Sequence, residues 1–321
     1  MRLPPYLMEA VQAESDRVER RSLAQAAALL SKRYKAGAPA VTNDAQRAAY
    51  LSVRLPATYA TTQHVFAELR RRSAETAIVS LLDLGAGPGT ALLAASGEFP
   101  ALGRATLLEI DDRWIALGKS LAAKSPLAAV RQARWLKQDL RSGFSCAPHD
   151  LVVISYTLGE LSAPAAESVI RKAWACAQKI LAVIEPGTPR GFAVVNAARS
   201  LLIAAGAEIL APCPHKSACP MVAAGDWCHF SQRLERTSQH RQLKGGALGY
   251  EDEKFSYLLA GRHSERASDA RILRHPGKHS GHIELQLCMP AGRVERVTIT
   301  RSEKQAYRLA RQVEWGDTWS G

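Results

Sequence analysis

The sequence predicts an α/β protein built on a parallel sheet with crossover helices. Three observations carry that expectation. Residues 77–190 alternate short apolar runs with helical stretches. The first run ends in a glycine-rich turn, Gly85-Ala86-Gly87-Pro88-Gly89. The second ends in a carboxylate, in Leu107-Leu108-Glu109-Ile110-Asp111. Alternation of this kind is what strand–helix–strand units produce when they stack into a parallel sheet.

The strands of that sheet are expected at 78–84, 105–110, 133–136, 151–155 and 180–185. A helix over 193–205 and a short strand over 208–211 follow. Residues 1–75 read as a helical, basic N-terminal region. Leu23, Ala26, Ala27, Leu30 and Tyr34 recur at helical spacing. Thr42-Asn43-Asp44 is a helix start, and Pro56 interrupts before a further helix that runs to Arg70-Arg71-Arg72. The organisation expected is a helical region to 75, a Rossmann-like core over 76–211, a cysteine-rich and basic segment over 212–260, and a small β unit over 261–321. That last unit has strands at 281–289 and 294–300 and a closing helix over 302–313.

The chain has 321 residues, 47% of them hydrophobic, and a formal net charge of +12. That is enough apolar content for a full core. No apolar run reaches the roughly 18–20 residues of a membrane span. Glu9, Glu14, Asp16 and Glu19 fit neither a transit peptide nor a signal peptide, so a cytoplasmic protein is expected. A basic surplus attracts polyanions through phosphate contacts, and RNA is the partner expected. Arg17, Arg20, Arg21, Lys32, Arg33 and Lys35 add to it, although a solvated helical face accounts for them equally. Disulfides are not expected among the six cysteines.

The glycine turn follows the pattern G-x-G-x-G, with Thr90 where a dinucleotide fingerprint wants a further glycine. Asp83 stands on the strand just ahead of it. A carboxylate there suits a cationic ligand and would repel a pyrophosphate. Glu109, 20 residues beyond Gly89, is placed to accept hydrogen bonds from ribose hydroxyls. Asp139, after the third strand, is placed to bond an adenine amino group; a helix cap is its plainer role. Asp83, Gly85, Gly87, Gly89, Glu109 and Asp139 together resemble the cofactor site of class I S-adenosylmethionine (SAM)-dependent methyltransferases. After the fourth strand comes Ser155-Tyr156-Thr157-Leu158-Gly159-Glu160, which holds neither the Asn/Asp-Pro-Pro-Tyr of amino-methylating enzymes nor a Pro-Cys nucleophile. No catalytic residue is assigned. Tyr156 suits stacking on a base or packing beneath the pocket.

Cys213, Cys219 and Cys228 fall in a Pro-rich stretch, which needs a source of order that a metal can supply. Their spacing departs from the paired cysteines usual for zinc. Prolines directly after two of them are closer to iron–sulfur sites. Spacing alone leaves zinc and iron–sulfur open. It also leaves the fourth ligand open, among Cys288, His215 and His229. Cys146 and Cys176 read as core thiols. No C-x3-C-x2-C triad of radical-SAM enzymes is present. Arg233, Arg236, Arg241 and Lys244 are candidate phosphate contacts, with Tyr250, Phe255 and Tyr257 as stacking or core aromatics. Glu251 to Glu253 are available to pair with those basic residues.

A broader resemblance rests on Leu55-Pro56-Ala57-Thr58-Tyr59, the glycine turn, Glu185-Pro186-Gly187-Thr188-Pro189, Cys213-Pro214-His215, Trp227-Cys228-His229-Phe230, Tyr250-Glu251-Asp252-Glu253-Lys254-Phe255 and Trp315-Gly316-Asp317. Over nearly the full chain these resemble the methyltransferase-like family of small-ribosomal-subunit assembly factors. The resemblance implies SAM as a cofactor and small-subunit rRNA, or the immature subunit, as partner. It implies a [4Fe–4S] cluster on Cys213, Cys219, Cys228 and Cys288. The protein expected is a monomer off the ribosome, acting as an rRNA methyltransferase or as a non-catalytic factor with a vestigial or regulatory SAM pocket.

Overall fold

The structure, a computed structural model, describes residues 1–35, 41–73, 76–244, 248–263 and 269–321; the side chains of Tyr34 and Lys35 lie outside the described part. The chain forms two units. One comprises Met1–Gln178 and Gln232–Glu253, the other Lys179–Ser231 and Lys254–Gly321.

The first unit opens with α1 (Pro5–Asp16), α2 (Arg20–Lys35), α3 (Asp44–Val53) and α4 (Leu55–Arg72). Leu23, Ala26, Ala27 and Leu30 of α2 pack on Ala48, Ala49 and Val53 of α3, the apolar stripe expected from their spacing. Asn43 caps α3 by accepting the N–H of Gln46. Pro56 stands in the first turn of α4, where its missing N–H breaks no helical bond, so it separates two helices without kinking either.

The sheet follows: β1 (Ser80–Leu84), α5 (Thr90–Glu98), β2 (Arg104–Glu109), α6 (Asp112–Ala123), α7 (Ala128–Arg131), β3 (Arg134–Lys137), β4 (His149–Ser155) and α8 (Ala163–Cys176). The strands lie in the order β3-β2-β1-β4, all parallel. Every residue of β1 is buried, as a parallel strand covered on both faces requires. The order turns at β1: chain connections leave toward β2 on one side and β4 on the other. That opens a crevice at the carboxyl ends of these strands, where ligands of such sheets bind.

β5 (Ala177–Pro186) carries the chain into the second unit, which continues with α9 (Pro189–Ala204), β6 (Glu208–Ala211) and α10 (Pro220–Ala223). β7 (Phe230–Glu235) and α11 (Ser238–Lys244) return it to the first, and β8 (Tyr250–Gly261) crosses again. Within the second unit β8 runs antiparallel to β5 and to β6. A second sheet is built from β9 (Ala270–Ile272), β10 (Gly277–Lys278), β11 (His282–Cys288), β12 (Val294–Thr300) and β13 (Thr318–Trp319). Ala310 of α12 (Lys304–Ala310) joins Ile272, Ile283, Leu285, Leu287 and Ile299 in its core.

Three features differ from expectation. The segment after the cysteines holds two strands and a helix: β7, α11 and β8. The closing helix is shorter than 302–313, because Thr300 and Glu303 form a capping box around a 3-10 turn over residues 301–303. And Cys146 and Cys176 are not separate core thiols but a disulfide, Cα–Cα 6.4 Å, which corrects the expectation of none. The segment entering β4 returns beside the end of α8, and thirty residues of sequence separation conceal that approach.

Candidate cofactor pocket and thiol cluster

A cavity of about 420 Å³ lies at the carboxyl ends of β1–β4. Its lining includes Asp83, Gly85, Gly87, Glu109, Asp139, Tyr156 and Glu160. Its size suits a cofactor. Gly85 has φ +72°, and a Cβ there would come within 2.5 Å of Thr157 Cγ2, so only glycine fits. Gly87, at φ +53°, has open space where a Cβ would project. Gly89, at φ +82°, forms the N-cap of α5.

Asp83 is 1% exposed, in register between Leu107 of β2 and Val153 of β4. Its Oδ2 has no hydrogen-bond partner among the described residues. Burial, and then the nearby Glu109, push its carboxyl up to about 8. Glu109 is satisfied by backbone: Oε2 accepts from Gly87 N at 2.7 Å, and Oε1 from Ile110 N and Asp111 N at 2.8 and 3.0 Å. Asp139 caps the 3-10 turn over 140–142, accepting Arg141 N, and takes a two-pronged bond from the Arg141 guanidinium. The plainer role foreseen for it, the cap, is therefore present at the pocket wall.

Sequence reasoning passed over Glu160. Loss of surrounding water, and then Glu109, push its carboxyl up to about 7, although more than a third of the side chain still meets solvent, which screens the shift. Tyr156 adopts φ +57°, rare for a non-glycine residue. Its hydroxyl lies 3.1 Å from Thr61 Oγ1, and the Arg54 guanidinium stands 6.0 Å from its ring. A strained aromatic directly after a strand at the pocket rim is a signal of function, one the sequence cannot show.

In the second unit, Cys213, Cys219, Cys228 and Cys288 line one small cavity. The first follows β6, the second caps α10, the third precedes β7 and the fourth ends β11. Of the two histidines weighed as ligands, His215 lies in that lining, with Nε2 3.4 Å from Cys288 Sγ. His229 instead stacks on Trp227 and meets Trp315 edge-on. Burial raises the Cys213, Cys228 and Cys288 thiols, the last to about 12. Arg199 and Arg271 pull the other way on Cys213 and Cys288.

These two arginines are 4% and 3% exposed, and sequence reasoning missed both. Arg199 donates to the carbonyls of His215 and Ser217, and Arg271 to that of Pro212. They brace the cysteine loop through its backbone. The signal was available: Arg199 is a lone charge on the apolar run of α9. Its Nε is buried without a hydrogen-bond partner among the described residues.

The candidate phosphate contacts divide. Arg236 and Lys244 both bond Glu251, with side chains 15% and 17% exposed. Arg233 is 61% exposed; it pairs with Asp252 and lies 4.1 Å over the Tyr250 ring. Arg241 is exposed on α11. Phe255 and Tyr257 are buried, the core placement weighed for them.

The β3-β2-β1-β4 order, the glycine turn and the acidic end of β2 define a class: a Rossmann-like α/β core of the class I methyltransferase kind. The particular family follows from sequence. The chain belongs to the Rsm22 family, described as mitochondrial small ribosomal subunit Rsm22, whose profile matches residues 44–320. It is 26% identical over 291 residues to the human mitochondrial ribosome assembly protein METTL17, covering 84% of this chain and 61% of that one. It is 25% identical over 352 residues to the Schizosaccharomyces pombe Rsm22-cox11 tandem protein 2, covering 90% and 45%. The chain thus spans less than two thirds of either relative. Among solved structures, magnesium protoporphyrin IX methyltransferase from Synechocystis PCC 6803 with bound SAH aligns at TM-score 0.43 and 16% identity, over 72% of this chain and 93% of that one.

Proposed function

We propose that this chain is an RNA-binding factor in the assembly of the small ribosomal subunit, active in the cytoplasm. On this reading it holds SAM in its first unit and a [4Fe–4S] cluster in its second. The observation that carries it is the extent of the family match: residues 44–320 take in the glycine turn and all four clustered cysteines.

The pocket residues fit SAM. Asp83 Oδ2, buried and without a partner, faces a cavity that also holds Glu109. A cationic amine and sulfonium favour the ionised form of that buried carboxyl, so binding would release its proton to solvent. Asp83, Gly85, Gly87, Glu109 and Asp139 line the cavity and would hold the cofactor, with Gly89 turning the chain into α5 behind them; when bound, SAM supplies an electrophilic methyl group. The chain's own part is to fix the loop through Gly87 and Glu109 and to keep the buried Asp83 aimed inward.

The thiol set fits a cluster. Among the described residues, one group of three or more His, Cys, Asp or Glu donors lies within 4.8 Å of one another, and it contains no cysteine. A single tetrahedral zinc would draw its sulfurs to about 3.8 Å apart. A multi-iron cluster spreads its thiolates wider, because several metals lie between them. Two buried guanidiniums offset the negative charge of such a group, and Arg199 Nε supplies an unused donor. A bound cluster supplies folding free energy to the loop and to the β11 end.

For RNA, of the four candidate contacts Arg233 and Arg241 are exposed, whereas Arg236 and Lys244 are drawn onto Glu251. A second reading, a factor that binds SAM without transferring its methyl group, is favoured by Tyr156. The aromatic beside the pocket is held by Thr61 and Arg54, so it is committed before any target base arrives.

The test uses the full chain purified without oxygen. Iron and sulfide in stoichiometric amounts, visible charge-transfer absorbance, SAM binding by calorimetry and crosslinks to small-subunit rRNA in cells are expected. Colourless, iron-free protein sinks the cluster. Crosslinks no richer in small-subunit rRNA than in bulk RNA sink the ribosomal role. A tritiated-methyl assay on immature subunits separates the two readings.

A further inference from the structure

We propose that His279, His282 and Glu284 form a binding site for one divalent transition-metal ion, of the zinc class, at the tip of the β10–β11 hairpin. The site is independent of the thiol cluster and of the reading above.

The hairpin assembles the three side chains locally. His279 N donates to His282 O at 3.0 Å and closes the turn. His282 and Glu284 are two residues apart on β11 and therefore share a face. Glu284 is held in register on both sides, opposite Gly277 of β10 and Thr298 of β12. The donor atoms of all three residues lie within 4.8 Å of one another.

The distances leave room for an ion between the three groups. Glu284 turns one oxygen to each ring: Oε2 is 3.9 Å from His279 Nε2, and Oε1 is 3.6 Å from His282 Nε2. Both exceed the roughly 3.2 Å limit of an N–H···O bond. The groups converge without bonding one another, an arrangement that a body between them completes. An ion roughly 2.0–2.2 Å from each donor separates tetrahedral ligands by about 3.3 Å, a small side-chain rotation away. The two imidazoles stack at 4.6 Å with an interplanar angle of 18°.

Gly277 keeps the space open. A Cβ there would lie 3.3 Å from His279 Nε2 and 3.6 Å from Glu284 Oε2. Two imidazoles and one carboxylate are borderline donors, which favour zinc, nickel or copper over magnesium or calcium. Three protein ligands leave a coordination position open. His279 also lines a shallow cavity with Lys278, Arg301 and Arg311. Their charge opposes a bare dication and favours one whose open position carries an anion.

The test is a cobalt(II) titration of untagged full-length protein after dialysis against EDTA, followed by visible absorption and calorimetry. One equivalent bound without a thiolate charge-transfer band is expected. His279→Ala, His282→Ala and Glu284→Gln should each weaken it at least about tenfold, with iron content and circular dichroism unchanged. Equal affinity in wild type and in the His279→Ala/His282→Ala double variant overturns the proposal. So does a titration in which every bound cobalt shows the thiolate band.

Discussion

Gly87 donates its backbone N–H to Glu109 Oε2 at 2.7 Å, so the glycine turn and the end of β2 are joined without any ligand. Two further backbone N–H groups, of Ile110 and Asp111, end on the same carboxylate. Glu109→Ala leaves all three donors without that acceptor, each bond to a charged group being worth about 1.5–3 kcal/mol. Loss of SAM binding by more than about tenfold, with a lowered melting temperature, is expected. Calorimetry and thermal melts check it; unchanged affinity would separate the turn from cofactor binding.

Asp83 sets a pH dependence of known sign. Its folded value, about 8, lies above its ordinary value of 3.8. The native state therefore holds this proton more tightly than the unfolded chain. The stability this contributes is present below the ordinary value and lost as pH rises through the folded one. Wild type should lose stability between pH 4 and 8 relative to Asp83→Asn, by up to about 5 kcal/mol. Denaturant titrations across that range measure it. Parallel curves for the two proteins would show that the carboxyl is not raised.

Glu251 has the opposite sign. Burial alone would raise its carboxyl, but bonds from His240, Lys244 and Arg236 together outweigh this and hold it well below the usual range. Its stabilisation is complete above the ordinary value of 4.5 and fades as pH falls through the folded value. Glu251→Gln leaves Arg236 and Lys244 without their shared carboxylate. A loss of about 3 kcal/mol at neutral pH is expected, with a shallower acid limb in the pH profile.

The Cys146–Cys176 bond closes a loop across a sequence separation of 30. Under oxidising conditions, thiol titration of the denatured chain without cluster or reductant should find four reactive cysteines of the six. Reduction, or Cys146→Ser, should lower stability by about 3–4 kcal/mol from loop entropy alone. Six reactive thiols would remove the bond.

The parts of the fold that were legible are those whose residues advertise themselves locally. β1, β2, β4 and β5 are apolar runs, and Asn43 and Pro56 mark helix starts. β8 was concealed because its first half, Tyr250 to Lys254, is charged and alternately exposed, while its buried half begins only at Phe255. Its acidic residues read as surface, yet Glu251 is the shared acceptor of Arg236 and Lys244. In the pocket, Asp83 and Glu109 were legible from their distance to the glycine turn. Glu160 was not, since its environment comes from residues remote in sequence. Arg271 was missed for the same reason, since it braces a carbonyl 59 residues away, whereas Arg199 left a local signal as a charge in an apolar run.

The thiol set is divided unequally along the chain. Cys213, Cys219 and Cys228 lie within one short stretch, and Cys288 comes 60 residues after the third (288 − 228). A ribosome making this protein therefore releases three of the four sulfurs well before the last. A chain cut short before β11 carries an incomplete set, whatever the quality of its earlier folding. On the proposed cluster, full ligation would report that synthesis has reached the C-terminal sheet.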